Sequence, residues 1–180
     1  MIMGPRATQH VVQLLDRLCT PIGDLFLVAD TEGNLRATFW TDEEQELRRV
    51  IGRQFPGQPI ELEPANDPHG FSSALRAYFG GDVHAIDKLP VESGGTPFQR
   101  DVWRALRDIP CGTTISYAEL AQRIGRPAAV RAVGLANGAN PVGIVVPCHR
   151  VIGSNGSLTG YGGGMERKRW LLHHEKQMWL

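Results

Sequence analysis

The spacing of apolar residues predicts a β-hairpin followed by a helix in the first part of the chain. Two apolar runs, residues 25–28 and 35–40, flank the turn-forming stretch TEGN, which is typical of a hairpin. Residues 42–55 then have helical spacing with acidic residues in the first turn. Thr41 precedes them as a candidate N-cap.

A proline-rich segment and a linker interrupt this pattern. Residues 56–70 are rich in proline and are predicted to connect the first helix to a short helix over 71–81, which ends in glycine. The stretch VESGGTP has the composition of a linker. The net charge also changes sign there. We therefore expect two domains, residues 1–92 and 93–180.

Three helices are predicted after the linker. The first covers residues 97–110, with apolar residues at helical spacing and proline at both ends. Ser116 and Glu119 form a capping-box pattern at the start of the second helix, which Gly125 ends. The third covers residues 126–141. The tight turn between the last two helices favours a DNA-binding helix-turn-helix, although many enzyme cores also contain such helix pairs.

The third helix carries one long basic side chain among small residues. Ala132, Gly134 and Ala136 would allow close approach either to a neighbouring helix or to a DNA groove. In the second interpretation, Arg131 is the side chain that enters the minor groove and opens the duplex.

The distribution of charge leaves the same choice open. The whole chain has a net charge of zero, but residues 1–96 hold 8 Lys and Arg against 14 Asp and Glu, a net −6. Residues 97–180 hold 11 against 5, a net +6. The asymmetry indicates either that the second half meets a polyanion or that the two halves attract each other.

The composition argues against several other classes. No apolar run approaches the length of a membrane span, and the N-terminus lacks the order of a secretory signal, so we expect a cytoplasmic protein. Cys19, Cys111 and Cys148 are too few for a disulfide framework and form no C-x-x-C. We expect neither a metal nor a cofactor.

The segment VVPCHRVIG holds the most reactive combination of residues. Residues 143–146 are predicted to form a buried strand, which Pro147 ends before Cys148. A thiol becomes a good nucleophile through a lowered pKa or a nearby base, and His149 is the candidate base, acting directly or through a water. A cysteine beside a histidine is also found as an inert structural pair.

A carboxylate that orients His149 would favour catalysis. Glu175 shares a helical face with apolar residues of the segment 166–176, so it is either an edge residue or a buried partner for histidine. The glycines of residues 162–164 offer bare backbone N–H groups for a flat ligand but lack a phosphate-loop pattern.

Together these motifs resemble the O6-alkylguanine-DNA alkyltransferase family, also called methylated-DNA–protein-cysteine methyltransferases. The resemblance rests on short motifs in family order along the second half, with weaker similarity in TPIGDLFLVAD and ALRAYFGG. The motifs are PCHRV, RAVG, NP, SY, GYGGG and WLLHHE.

The resemblance implies a role for each matching residue. Cys148 would accept the alkyl group, His149 would be its base through a water, and Glu175 would orient the imidazole. Asn140 would brace the active-site segment, and Tyr117 would lie beside the flipped base and its 3′ phosphate. The DNA contacts would come from Arg131, Tyr117, Ala132, Gly134 and Ala136, and the base pocket from the Cys148 carbonyl, Val151, Tyr161 and Gly162.

The resemblance also implies a fold and a reaction. It implies an α/β N-terminal domain of ribonuclease H-like fold and a mainly α, winged-helix-like domain with a helix-turn-helix. The reaction would be a single irreversible transfer from O6-alkylguanine or O4-alkylthymine in duplex DNA, after base flipping. The protein would act as a monomer without a cofactor.

Some features depart from the family pattern. Gly162 stands where many relatives carry serine, so only a main-chain contact is carried over. Cys19 has no nearby cysteine for the zinc site of some relatives. A non-catalytic lesion-binding module and a thiol hydrolase using Cys148, His149 and Glu175 are the alternative functions.

Overall fold

The computed structural model describes residues 10–40 and 44–177. The first half is a four-stranded sheet with two helices and a 3-10 turn. Its sheet has the order β3-β2-β1-β4, in which β1 is antiparallel to β2 and parallel to β4. The elements are β1 Val11–Thr20, β2 Gly23–Asp30, β3 Leu35–Phe39, α1 Glu44–Gly52, β4 Ile60–Pro64, the 3-10 turn Pro68–Gly70, and α2 Phe71–Phe79.

The predicted hairpin and the helices of the first half are confirmed. Strands β2 and β3 pair antiparallel, and Asp30 holds their turn by accepting hydrogen bonds from the backbone N–H groups of Glu32 and Asn34. Helix α2 ends at Gly80 as expected. The proposed N-cap Thr41 lies outside the described residues.

Two strands of the first half were not predicted. Strand β1 has the sequence VVQLLDRLCT, in which apolar and polar residues do not alternate regularly, and most of its residues are partly exposed. Strand β4 lies inside the segment predicted to be a connection, which is an error of that prediction. It pairs with β1 on the opposite side from β2, and Pro64 stands at its last position, where proline is tolerated.

The second half is mainly helical. Thr96 and Gln99 form a reciprocal capping box at the start of α3, and Ser116 accepts from the Glu119 N–H at the start of α4. The third predicted helix begins later than expected, because residues 126–129 form a turn. The elements are α3 Pro97–Arg107, β5 Ile115–Ser116, α4 Tyr117–Arg123, α5 Val130–Gly138, the 3-10 turn Cys148–Arg150, β6 Val151–Ile152, and α6 Met165–Gln177.

The segment before Cys148 is a buried turn, so the strand predicted over residues 143–146 is wrong. Two of its backbone bonds are local: the Val145 N–H donates to the Gly143 carbonyl at 2.8 Å, and the Val146 N–H donates to the Val142 carbonyl at 2.9 Å. The Gly143 N–H donates to the Thr38 carbonyl of β3 at 3.2 Å. Ile144 has a φ of 70°, which is strained for a β-branched residue. The apolar composition of this segment predicted its burial correctly but did not predict its conformation.

The main hydrophobic core is continuous across the two halves. It joins Leu25 and Leu75 from the first half with Leu106, Val151 and Leu171 from the second. Backbone pairing adds to this contact, because Thr38 of β3 is bridged to Val142 of the second half. The two halves therefore hold the segment around Cys148 between them. None of the described helices has the length and apolar character that a membrane crossing requires.

Candidate active site

Cys148 opens the 3-10 turn at the bottom of a cleft between the halves of the chain. Cys148 is 8% exposed, and it lines a cavity of about 1060 Å³. Tyr117, Asn140 and Tyr161 line the same cavity from the second half, and Thr38 and Trp40 line it from the first. Cys148 is therefore placed where a small molecular group can reach it.

Burial keeps the Cys148 thiol protonated. Desolvation raises the pKa of Cys148, while a hydrogen bond from Asn140 and the charge of Lys168 act in the opposite direction. The net pKa is above the ordinary value of a cysteine. Of the two routes to a reactive thiol, the site thus depends on a base to remove the proton.

His149, the next residue in the chain, is the candidate for such a base. Its ring is fully buried, and Nε2 lies 2.8 Å from Glu175 Oε1. Nδ1 has no hydrogen-bond partner among the described residues. Because an ionised carboxylate only accepts hydrogen bonds, Nε2 carries the proton of a neutral ring and Nδ1 keeps its lone pair.

Glu175 is buried and completely surrounded by donors. Arg150 donates through Nε to Oε2 and through Nη2 to Oε1, both at 2.9 Å, and Tyr78 donates to Oε1 at 2.9 Å. Burial alone would raise the pKa of Glu175, but its contacts with His149 and Arg150 hold it well below its ordinary value. Glu175 is therefore an ionised partner of His149, and the alternative of a half-exposed edge residue is wrong.

Asn140 joins the end of α5 to the segment before Cys148. Its amide Nδ2 donates to the Val146 carbonyl at 2.8 Å, and its Oδ1 accepts from the Val142 N–H at 3.0 Å. These two bonds hold the strained turn around Ile144. Asn140 thus links the end of α5 to the turn that leads into Cys148, and its contact with the thiol acts to lower the pKa of Cys148.

Three of the other predicted pocket residues line the same cavity, and Val151 is not among its lining residues. Tyr117, Tyr161 and Gly162 line it directly, and Gly162 is exposed. Val151 is fully buried, and its carbonyl accepts from Lys168 Nζ at 2.7 Å. Val151 can contribute to a pocket only through a carbonyl that already has one donor.

Helix α5 presents only part of the predicted DNA-contacting set. Arg131 and Ala132 are exposed, and Gly134 is half-buried beside the Tyr117 ring. Ala136 is 2% exposed and its carbonyl accepts from Trp103 Nε1 at 2.8 Å. Ala136 therefore faces α3 and is not available to contact DNA. At this position the small side chain serves tight packing between helices, which was the alternative to a DNA contact.

Residues near the site that were not singled out from the sequence include Arg150, Tyr78, Trp40 and Arg167. Arg150 and Tyr78 bind Glu175, and Trp40 lies against the glycine loop with the Arg167 guanidinium 4.6 Å from its ring centroid. Arg167 also donates to the Gly163 carbonyl at 3.0 Å. Arg150 adjoins the cysteine and histidine in the sequence, which was a usable signal. Nothing in the sequence pointed to Trp40 or Tyr78.

Among residues 10–40 and 44–177, no group of three or more His, Cys, Asp or Glu side chains is arranged to hold a metal ion. The three cysteines are unpaired with one another.

Comparison with known proteins gives consistent results. Residues 97–177 match a family described as 6-O-methylguanine DNA methyltransferase, DNA binding domain. A methylated-DNA–protein-cysteine methyltransferase of Shigella flexneri is 48% identical over 167 residues, 93% of this chain and 98% of the relative. One of the same name from Mycobacterium tuberculosis is 58% identical over 122 residues, 66% of this chain and 73% of the relative.

Solved structures are similar over nearly the whole chain. The crystal structure of the M. tuberculosis O6-methylguanine methyltransferase has a TM-score of 0.77 and 40% identity, covering 92% of this chain and 94% of that one. The M. tuberculosis OGT in complex with DNA has a TM-score of 0.73 and 40% identity, with coverage of 93% and 94%.

Proposed function

The chain belongs to the methylated-DNA–protein-cysteine methyltransferases, and from this premise we propose that Cys148 is its alkyl acceptor. The protein is a DNA-repair enzyme that binds DNA and transfers an alkyl group to a cysteine. The observation that carries the assignment is the position of Cys148 in the cleft next to the buried pair of His149 and Glu175.

The proposed reaction begins with removal of the thiol proton. His149 Nδ1 takes the proton of Cys148 through a water, and Glu175 stabilises the resulting imidazolium. The thiolate then attacks the carbon bound to O6 of the guanine, so that the S–C bond forms as the C–O bond breaks. Guanine leaves with the electron pair and takes up a proton, while donors such as Tyr117 and the Gly162 N–H stabilise the developing charge.

This chemistry predicts one turnover per molecule. The product is a thioether, which has no acyl carbon for water to attack. A thiol hydrolase would instead form a thioester and recover its cysteine. The protein itself is consumed.

The proposed substrate is O6-alkylguanine in duplex DNA, and O4-alkylthymine by the same chemistry. An alkyl group inside the stack is reached only if the base is flipped out. The exposed Arg131 on α5 supports a role in filling the vacated space, and the small Ala132 and Gly134 support close approach of the helix to the groove. Monomeric state and cytoplasmic location stay predictions.

Finer features of the fold are also proposals. The strand order β3-β2-β1-β4, with only β1 and β4 parallel, supports a ribonuclease H-like first domain over residues 1–92. The helix pair α4 and α5 beside the short β5–β6 ladder supports a winged-helix-like second domain over residues 93–180. The core shared by both halves implies that these domains are stable together.

The test is intact-mass analysis after mixing the protein with duplex DNA that contains one O6-methylguanine. We expect a gain equal to one CH₂ group, mapped to the peptide with PCHR, and repaired guanine that stops at one equivalent of active protein. Cys148→Ser should bind this DNA and gain nothing. Cys19→Ser and Cys111→Ser are the matched controls and should react normally.

Repair beyond one equivalent would favour the hydrolase alternative. A methyl group on Cys19 or Cys111 would show that Cys148 is not the acceptor. Binding of the lesion by the unchanged protein without any mass gain would favour a lesion-binding module.

A further inference from the structure

The Tyr78 hydroxyl connects the first half of the chain to the carboxylate behind His149. Tyr78 lies on α2, 97 residues before Glu175, and donates to Glu175 Oε1 at 2.9 Å. Its side chain is fully buried. Phenylalanine has nearly the same shape, so packing alone does not explain a polar hydroxyl at this depth.

Three donors converge on the single oxygen that faces His149. Oε1 of Glu175 receives His149 Nε2 at 2.8 Å and both Arg150 Nη2 and the Tyr78 hydroxyl at 2.9 Å. Each additional donor draws negative charge away from this oxygen. The charge that His149 experiences is therefore set by Tyr78 and Arg150 together with Glu175.

The remaining titratable groups near this cluster do not replace the hydroxyl. Burial raises the pKa of Cys111 to about 11, so this thiol is neutral at neutral pH. His174 lies edge-on to the Tyr78 ring, and its Nε2 contacts the Tyr78 carbonyl at 2.7 Å.

Tyr78 itself is a permanent donor. Burial, followed by the charge of Glu175, raises the pKa of Tyr78 far above its ordinary value. The phenol therefore keeps its proton throughout the range in which the enzyme works. Its hydrogen bond to Glu175 therefore keeps this direction as long as Glu175 is ionised.

We propose that Tyr78 is a positioning residue for alkyl transfer, whose hydroxyl withdraws charge from Glu175 and so keeps the His149 imidazole neutral and able to accept a proton near neutral pH. This inference rests on the proposed role of His149 as the base. It assigns to the first half of the chain a part in the chemistry as well as in the scaffold.

The direct test is Tyr78→Phe, read as the rate of transfer against pH. Loss of one donor leaves more charge on Oε1 and favours the imidazolium, which cannot take the thiol proton. We expect the acid limb of the rate profile to move up by about half to one pH unit, with the alkaline plateau within about twofold of the unchanged protein. Ser72→Ala removes another buried hydroxyl from α2, which donates to Asp16 at 2.5 Å, and should leave the limb in place.

A second readout does not depend on transfer. The midpoint of the His149 ring titration, followed by NMR, should rise by the same amount in Tyr78→Phe. Replacing Tyr78 alone with 3,5-difluorotyrosine, a stronger donor, should move midpoint and limb down. This opposite shift tests the idea even if the phenylalanine variant folds poorly.

A purely structural role predicts a different result. Tyr78→Phe would then slow transfer equally at every pH, with an unmoved limb and an unchanged His149 midpoint, and this outcome would overturn the proposal. Failure of the proposed function gives a separate signal, because the unchanged protein would then transfer nothing to Cys148 while the NMR midpoint still reported on Tyr78.

Discussion

Each half of the chain buries a carboxylate, and the two are stabilised by partners at very different distances along the sequence. Asp30 accepts from the backbone of Glu32, from the backbone and side chain of Asn34, and from Arg36, all within six residues. Glu175 is bound by residues 25, 26 and 97 positions away. The first carboxylate organises a turn, and the second gains its hydrogen-bond partners only once the whole chain has folded.

This difference has consequences for the two kinds of site. A local set of partners forms with its own hairpin and survives small changes elsewhere. A set gathered from α2, the 3-10 turn and α6 makes the chemistry of Cys148 depend on the packing of both halves. Coupling of this kind gives a precise base, and it makes that base sensitive to distant substitutions.

The largest expected effect comes from removing each carboxylate in turn. Glu175→Ala leaves the Arg150 guanidinium buried without its partner, so we expect the free energy of unfolding to fall by about 3–5 kcal/mol and transfer to be lost. Asp30→Ala should lower the free energy of unfolding by only about 1–3 kcal/mol, because Arg36 retains some exposure to solvent. The transfer rate of this variant should change little. Urea unfolding and single-turnover rates check both.

Equal losses of stability in these two variants would show that the distance of the partners along the chain does not distinguish the two carboxylates.

The pH dependence of stability gives a smaller effect. The pKa of Glu175 in the folded protein lies below its ordinary 4.5, so its contribution is fully present above about pH 4.5 and is lost as the pH falls toward the folded pKa. We expect the unfolding free energy to decrease with acid below that pH. In Glu175→Gln this decrease should be shallower than in the unchanged protein, as measured by chemical unfolding between pH 3 and pH 6, values chosen to bracket the carboxyl range.

Asp30→Asn is the matched variant for this experiment. Burial would raise the pKa of Asp30, but hydrogen bonds from Asn34 and Arg36 lower it below 3.8. The contribution of Asp30 to stability should therefore be lost only below about pH 3.8, which is lower than the pH of 4.5 at which the contribution of Glu175 begins to be lost. An acid response in both variants as steep as that of the unchanged protein would show that neither carboxylate accounts for it.

The smallest effect is expected for an ion pair in water. Arg104 donates to Asp101 at 3.0 Å on α3, and both side chains are largely exposed. Arg104→Ala should change the free energy of unfolding by less than about 1 kcal/mol. A larger loss in thermal and urea unfolding would show that partner distance is a poor guide to the strength of a contact here.

The sequence by itself was sufficient wherever structure depends on neighbouring residues. The β2–β3 turn follows from TEGN, the start of α4 from Ser116, and the end of α4 from Gly125. The motif around Cys148 and the helical face of Glu175 also singled out the three residues that the proposed function uses, although their roles came from the family resemblance. These features are local because periodicity, caps and turn residues act over a few positions.

The remaining features depend on packing, because packing brings residues together that are distant in the sequence. Strand β4 forms because it finds an edge of β1, despite its proline-rich surroundings. The apolar segment before Cys148 becomes a turn because Asn140 and Thr38 hold it, so burial alone did not determine its shape. Tyr78 reaches Glu175 only when α2 packs near α6, and no pattern within either segment records that contact.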